Sequence, residues 1–305
     1  MAQVPKSARL HAARLTKALT PSSRLYSKYR SNVDLFLRAH KEQRPLFRLR
    51  DERVMASHLN LHKSVLFRRG YLVAWVDDDA YRRAVPGVDA MVAEVGIDAD
   101  SPLIPLILAP ESRIVSRSQP FLSILEHEVV HVNQALFGHP IPEFKADSLS
   151  ELFDCFSAYA TREYQANLIQ LVRRPSAELR RTTVSFDQWV LLRAYTPALE
   201  SVLRETASGR IRRGLVPRFL DEVPAQASAL LRRWGCPGDL TDWFQSRWSV
   251  HVFTALKMLK EKGVDLTCAP LRPACRWVMR EVAKARADAE REKAARFGRP
   301  TVSAT

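Results

Sequence analysis

The segment FLSILEHEVVHVNQALFG, residues 121–138, contains the pattern that decides how this chain is interpreted. Within it, HEVVH places His127 and His131 four residues apart, with Glu128 directly after the first histidine. Residues four apart lie on one face of an α-helix, so two imidazoles at this spacing can bind one metal ion. Because so short a pattern also arises by chance, its surroundings have to support this interpretation.

The surroundings predict a buried helix. The helix is expected to begin near Ser118, with Pro120 in its first turn, where the missing N–H costs nothing, and to end at Gly138. Three ionisable side chains buried within five residues are costly without partners, and metal coordination removes that cost. The segment therefore predicts a metal site that includes His127 and His131. The apolar residues that leave almost no solvated face are Phe121, Leu122, Ile124, Leu125, Val129, Val130, Val132, Ala135 and Leu136.

A third ligand is needed, and the sequence offers two candidates. The extended metzincin pattern is absent, because Gln134 and Phe137 occupy the positions of its glycine and third histidine. His139 lies just beyond the predicted helix end and reaches back only if its loop curls. Glu163, within ATREYQANLIQLVRRP, lies in the middle of a second predicted helix and is the better candidate.

An HExxH helix followed by a helix with E-x-x-A-N resembles the gluzincin class of zinc peptidases. Glu163, Ala166, Asn167 and Pro175 are particularly similar to the small ImmA/IrrE-type peptidases. The resemblance covers about residues 120–175. It implies a zincin-like core, in which a small sheet precedes the active-site helix and the glutamate helix.

The same resemblance implies a Zn²⁺ ion held by His127, His131 and Glu163, with Glu128 as general base in the hydrolysis of a peptide bond. Asn167, one turn after Glu163, is expected to hydrogen-bond the free ring nitrogen of a ligand histidine, or else to make an ordinary interhelical hydrogen bond.

Substrate-binding groups are less sharply indicated. A predicted strand at residues 113–116 is either an edge that accepts an extended peptide or an ordinary edge strand. Such hydrolysis also requires a group that stabilises the oxyanion. The candidates are Tyr159, Tyr164, His139 and His251.

The composition of the whole chain favours an α+β fold that is mainly helical, because there are only ten glycines and the long segments are rich in Ala, Leu and Arg. Four parts are expected: a separable basic helical arm at 1–50, the zincin-like core at 51–175, a helical domain at 176–292 and a disordered tail at 293–305. Strands are predicted at 65–67, 71–76, 103–108 and 113–116, and a short helix at 87–96. Further helices are predicted at about 148–174, 184–204, 225–233, 240–262 and 274–292.

Charge is distributed unevenly along the chain. The first 50 residues carry 12 basic and 2 acidic side chains, whereas residues 51–170 carry 10 basic and 17 acidic ones. The basic arm is a candidate for contact with an anionic partner, either nucleic acid or a membrane surface. The alternative function is therefore a nucleic-acid-associated or scaffold protein whose zinc is structural or non-catalytic.

No stretch is long and apolar enough to predict a transmembrane helix. The four cysteines form no CxxC pair, which favours a reducing compartment. The N-terminus lacks a secretory signal, so a cytoplasmic location is expected. A mitochondrial location is the alternative, because the first 30 residues are basic and lack acidic side chains.

Overall fold

A computed structural model describes residues 4–42, 47–49, 65–68, 70–85, 89–97, 101–115, 119–139, 142–212 and 214–297. The described chain is mainly helical with one mixed β-sheet, as predicted. It forms two compact units, one from Met1–Pro142 with Thr161–Ala194 and one from Glu143–Ala160 with Tyr195–Thr305. None of the helices in the described ranges combines the length and apolar character that a membrane crossing requires.

The first part of the chain alternates helices and strands before the HEVVH segment. In chain order the elements are α1 (Lys6–Ala18), α2 (Ser23–Lys41), β1 (Phe47–Leu49), β2 (Val65–Arg68), β3 (Tyr71–Val76), α3 (Asp78–Ala84), β4 (Met91–Gly96), β5 (Ile104–Pro110), α4 (Glu111–Val115) and α5 (Gln119–Leu136). The strands form one sheet in the order β1-β4-β5-β3-β2.

Strand β5 is the centre of this sheet. It pairs in parallel with β3, with Val73 opposite Ile107, and antiparallel with β4, with Val92 opposite Ile107. Every residue of β5 is buried, which agrees with the uninterrupted apolar sequence IPLILAP. The predicted strands at 65–67, 71–76 and 103–108 are thus confirmed by β2, β3 and β5.

Two local predictions are wrong. The expected short helix at 87–96 contains strand β4, because pairing with β1 and β5 outweighs the helix propensity of Met91, Ala93 and Glu94. The expected strand at 113–116 is instead occupied over most of its length by helix α4, despite the β-branched Ile114 and Val115. The proposed peptide-binding edge at 113–116 is therefore withdrawn.

Helix α2 belongs to the core around the sheet. Tyr29, Val33 and Phe36 are buried together with residues of β3, β4 and β5. The Tyr29 hydroxyl accepts a hydrogen bond from the Leu72 backbone N–H at 2.9 Å and donates one to the Pro105 carbonyl at 3.3 Å. Within the predicted arm at 1–50, helices α1 and α2 agree with the expectation, whereas β1 at Phe47–Leu49 is a strand of the sheet. Helix α2 cannot be separated from the sheet without exposing this core.

Helix α5 lies against the sheet through a stripe that includes Leu125, Val129 and Val132. It ends as predicted at Gly138, which has a φ of +78°. The Gly138 N–H bonds the Ala135 carbonyl and the His139 N–H bonds the Gln134 carbonyl. These are the two hydrogen bonds of a glycine-terminated helix end, so the local sequence fixes where the HEVVH helix stops.

The remaining elements are helices: α6 (Leu149–Arg173), α7 (Ala177–Arg181), α8 (Phe186–Ala207), α9 (Leu215–Arg233), α10 (Gly238–Glu261) and α11 (Arg272–Phe297). Helix α6 begins as predicted, with Ser148 Oγ accepting the Glu151 N–H at 3.2 Å and Glu151 accepting the Asp147 N–H at 2.9 Å. Helix α9 begins at Leu215, ten residues earlier than expected, and Pro224 lies inside it.

The second unit has an aromatic core of its own. Phe156, Tyr195, Phe219, Phe244 and Trp248 are buried and pack with ring centroids 4.4–6.4 Å apart. At the C-terminus, helix α11 extends through residues 293–297, which were expected to be disordered. The rest of that predicted tail, 298–305, lies outside the described residues.

Candidate metal centre

Helices α5 and α6 bring the three predicted ligands together. On α5, His127 and His131 are one turn apart, and on α6, Glu163 faces both of them. His131 Nε2 lies 3.0 Å from His127 Nε2 and 3.3 Å from Glu163 Oε1. His127 Nε2 lies 3.4 Å from Glu163 Oε2. Two histidines and one glutamate therefore point donor atoms at a single position.

This cluster fits a metal ion. Its donor atoms all lie within 4.8 Å of one another. In a tetrahedral zinc site with bonds of about 2.0–2.1 Å, ligand atoms are about 3.3 Å apart, which matches the three distances. Two imidazole nitrogens and a carboxylate oxygen are donors that Zn²⁺ accepts, and three protein ligands leave one position open. No other group of this kind occurs among the described residues.

The ligand side chains are mostly enclosed, with 10–14% of their surface exposed. Burial lowers the pKa of His127, but the hydrogen bond and charge of Glu163 outweigh it and raise that pKa. Burial lowers the pKa of His131. Burial opposes the ionisation of Glu163, yet the two histidines hold its pKa below the ordinary value. The glutamate is therefore a carboxylate, the form that binds a cation.

Glu128 lies on α5 between the face that carries the histidines and the face against the sheet. It is buried, and burial raises its pKa to about 8, while His127 opposes and Glu163 reinforces that rise. On the sheet side, Tyr81 is buried, and its hydroxyl has no hydrogen-bond partner among the described residues. After burial, the charge of Glu128 is the next largest influence that raises the Tyr81 pKa. Glu128 is thus a carboxyl group beside the cluster with a pKa near neutrality.

Asn167 does not have the first of its two expected roles. Its Nδ2 donates to the Glu163 carbonyl at 2.8 Å and to the Arg193 carbonyl at 3.0 Å, and lies 3.5 Å from Glu163 Oε2. Arg193 Nε donates in return to Asn167 Oδ1 at 3.3 Å. Asn167 therefore joins α6 to α8 behind the glutamate ligand and makes no hydrogen bond to a ligand histidine.

Gln134 makes the hydrogen bond to a ligand histidine that was predicted for Asn167. His131 Nδ1 lies 2.8 Å from Gln134 Oε1, and Gln134 is 1% exposed. The sequence contained a usable signal, because Gln134 lies three residues after His131 and so shares its helix face.

Two arginines near the cluster were also missed. Arg162 is buried, donates to the His139 carbonyl, and acts on the pKa values of Glu128 and His131. Arg193 is partly exposed and acts on the pKa of His127. Both place positive charge close to a site where a reaction would develop negative charge.

The four candidates for oxyanion stabilisation lie in different surroundings. His251 is fully buried in the aromatic core of the second unit, so it cannot contact a substrate and is withdrawn. The His139 ring is exposed and is not part of the cluster. Tyr159 packs on Phe144 in the second unit.

Tyr164 is buried and lies 6.3 Å, between ring centroids, from His11. As with Tyr159 and His139, its role in oxyanion stabilisation stays a prediction.

Comparison of the chain with protein-family profiles, with curated proteins and with solved structures finds no match.

Proposed function

We propose that this protein is a zinc-dependent endopeptidase that hydrolyses a peptide bond in a protein or peptide substrate. The observation that carries the proposal is the convergence of His127, His131 and Glu163 on one position, with the buried carboxyl group of Glu128 beside it. The HExxH and E-x-x-A-N patterns resemble those of the gluzincin class, and this resemblance supplies the peptide as the substrate.

The residues divide the chemistry between them. When bound, Zn²⁺ supplies a Lewis acid that polarises the substrate carbonyl and lowers the pKa of water. Glu128 accepts the proton of the attacking water and returns it to the departing amine. Burial raises the pKa of Glu128 in the metal-free protein, whereas a bound cation would lower it and favour the carboxylate form that accepts a proton. The partly exposed guanidinium of Arg193 adds positive charge for the developing oxyanion.

The main alternative is a structural zinc site in a nucleic-acid-associated or scaffold protein. Structural zinc sites are normally closed by four protein ligands, whereas the cluster among the described residues has three. The exposed His139 ring is not a fourth. A carboxyl group next to the ligands also has no use in a closed site, so Glu128 favours catalysis.

An anionic partner remains a separate proposal, supported by the surface of the first two helices. Lys6, Arg9, Arg14 and Lys17 of α1 are exposed, as are Arg24 and Lys28 at the start of α2. The described segment 4–42 contains only Asp34 and Glu42 as acidic residues. Nucleic acid and anionic lipid both fit this charge. The four cysteines, all within the described residues, form no disulfide with one another, which agrees with the proposed reducing, cytoplasmic compartment. A mitochondrial location is the alternative proposal.

The decisive variant is Glu128→Gln, which keeps the shape of the side chain and removes the base. We expect it to retain zinc and to lose about 10²- to 10⁴-fold in turnover. Cleavage would be followed by mass spectrometry on a denatured protein mixture, and zinc by elemental analysis of the same samples.

Two results would count against the proposal. Equal cleavage by wild type and Glu128→Gln, or no cleavage by zinc-loaded wild type, would favour the structural-zinc alternative. Loss of zinc from Glu128→Gln would make Glu128 a ligand, and the assignment of Glu163 would have to be withdrawn.

A further inference from the structure

One buried amide links both helices of the metal cluster. The Oε1 atom of Gln134 on α5 lies 2.8 Å from Nδ1 of His131. Its Nε2 atom donates to the Arg162 backbone carbonyl at 3.3 Å and to Gln165 Oε1 at 2.7 Å, both on α6. With 1% of Gln134 exposed, these contacts replace its hydrogen bonds to water.

The orientation of this amide is fixed by its partners. A backbone carbonyl only accepts hydrogen bonds, so the atom of Gln134 that faces Arg162 O must be the amide nitrogen. The second N–H of that nitrogen is used by Gln165 Oε1. The amide oxygen is therefore the atom that faces His131.

The tautomer of His131 follows from this orientation. Because Gln134 Oε1 only accepts, Nδ1 of His131 must carry the hydrogen. In the neutral ring, Nε2 then has a free lone pair, and Nε2 is the atom that faces His127 and Glu163. A metal-binding histidine needs this state, and the hydrogen bond at its other nitrogen normally sets it.

We propose that Gln134 and Gln165 are positioning residues that fix the ring orientation and tautomer of His131 and thereby increase its affinity for a metal ion. Gln165 acts through Gln134, since it holds the amide nitrogen away from the imidazole. The inference rests on the metal-binding part of the proposed function and does not depend on peptidase activity.

The test compares Zn²⁺ affinity, measured by competition with a chromogenic chelator, in a set of variants. Gln134→Leu is expected to lower the affinity about 10- to 100-fold, and Gln165→Leu about fivefold, because only the former removes the acceptor. Gln165→Glu keeps an acceptor at the same place and is expected to stay within about twofold of wild type.

Gln170→Leu is the matched control. Gln170 is a buried glutamine of α6 that bonds α5 through Ser123 Oγ at 3.1 Å, and this hydrogen bond does not involve a ligand. Its loss should lower the melting temperature without changing the affinity for Zn²⁺. A second readout is the ¹⁵N spectrum of the zinc-free protein at mildly alkaline pH, where wild type and Gln165→Glu should show His131 protonated on Nδ1, and Gln134→Leu a mixture of tautomers.

The outcomes separate the two claims. Equal affinities for Gln165→Leu and Gln170→Leu, or no recovery in Gln165→Glu, would overturn the role of Gln165. An unchanged tautomer and affinity in Gln134→Leu would overturn the whole inference. If wild type binds no Zn²⁺ but shows the expected tautomer pattern, the orienting role stands and the proposed function falls.

Discussion

The two units each enclose a histidine, and the surroundings of these histidines differ. His131 in the first unit has Gln134 at one ring nitrogen and Glu163 at the other. His251 in the second unit is fully buried, and neither ring nitrogen has a hydrogen-bond partner among the described residues. Its neighbours are the rings of Trp243, Phe244 and Trp248, at centroid distances of 4.9–6.2 Å.

This difference shows that burial alone does not make a histidine functional. Burial lowers the pKa of both rings, and for His251 it lowers the pKa to about 3. His251 therefore stays neutral and acts as an aromatic core residue. His131 is distinguished by a carboxylate and a second imidazole at the same nitrogen, which is the arrangement that a cation completes.

The largest expected effect separates the two histidines by zinc binding. His131→Ala should lower zinc affinity by at least about 1000-fold, because it removes one of three protein ligands. His251→Phe should bind zinc as wild type does, and chelator competition on both variants makes the comparison. If His131→Ala binds zinc as tightly as wild type, His131 is not a ligand and the proposed difference between the two histidines is wrong.

A smaller effect concerns the pH dependence of stability, which His251 should dominate in the second unit. As pH falls below about 6.5, the unfolded chain protonates this histidine, whereas the folded protein resists protonation down to about pH 3. The unfolded state binds more protons in that window. The free energy of unfolding should therefore fall as the pH is lowered through this window, by up to about 1.4 kcal/mol per pH unit.

His251→Phe should remove this contribution, as measured by urea denaturation at several pH values between those limits. The same slope in wild type and in His251→Phe would show that His251 is hydrogen-bonded or hydrated in solution, and the contrast with His131 would weaken.

The smallest expected effect on zinc affinity is that of Asn167→Leu. This variant tests whether residues behind the Glu163 ligand also contribute to metal binding. The substitution leaves the Arg193 carbonyl without its donor and should cost about 1–3 kcal/mol of stability. Zinc affinity should change by less than about tenfold, since Asn167 contacts the Glu163 carboxylate only at 3.5 Å. Denaturation and chelator competition measure the two effects, and a hundredfold loss of zinc affinity would give Asn167 a stronger role than its contacts indicate.

Local signals in the sequence predicted the elements that carry the ligands. The helix of His127 and His131 has proline at its start and glycine at its end, and the helix of Glu163 has the Ser148 and Glu151 cap. These signals act within a few residues, so they are readable without the fold. Strand β4 was missed because its structure is imposed by pairing with strands distant in the sequence.

The surroundings of the ligands were harder to predict, because they depend on contacts between helices. Gln134 bonds residues about 30 positions later in the chain, and Arg193 reaches Asn167 from α8. His251 is one of four oxyanion candidates that the sequence does not rank, and only its burial in an aromatic core excludes it. For α2, the sequence indicates an apolar stripe that includes Val33 and Phe36, but it does not indicate that this stripe packs against the sheet.

The most direct test of the account is the amount of zinc that copurifies with wild type and with Glu163→Ala, measured side by side by mass spectrometry. Glu163 is the ligand that only the packing of α6 on α5 supplies, so it tests the cluster rather than the HEVVH pattern alone. We expect about one zinc per chain in wild type and almost none in Glu163→Ala. Equal zinc in the two proteins, or none in wild type, would contradict it.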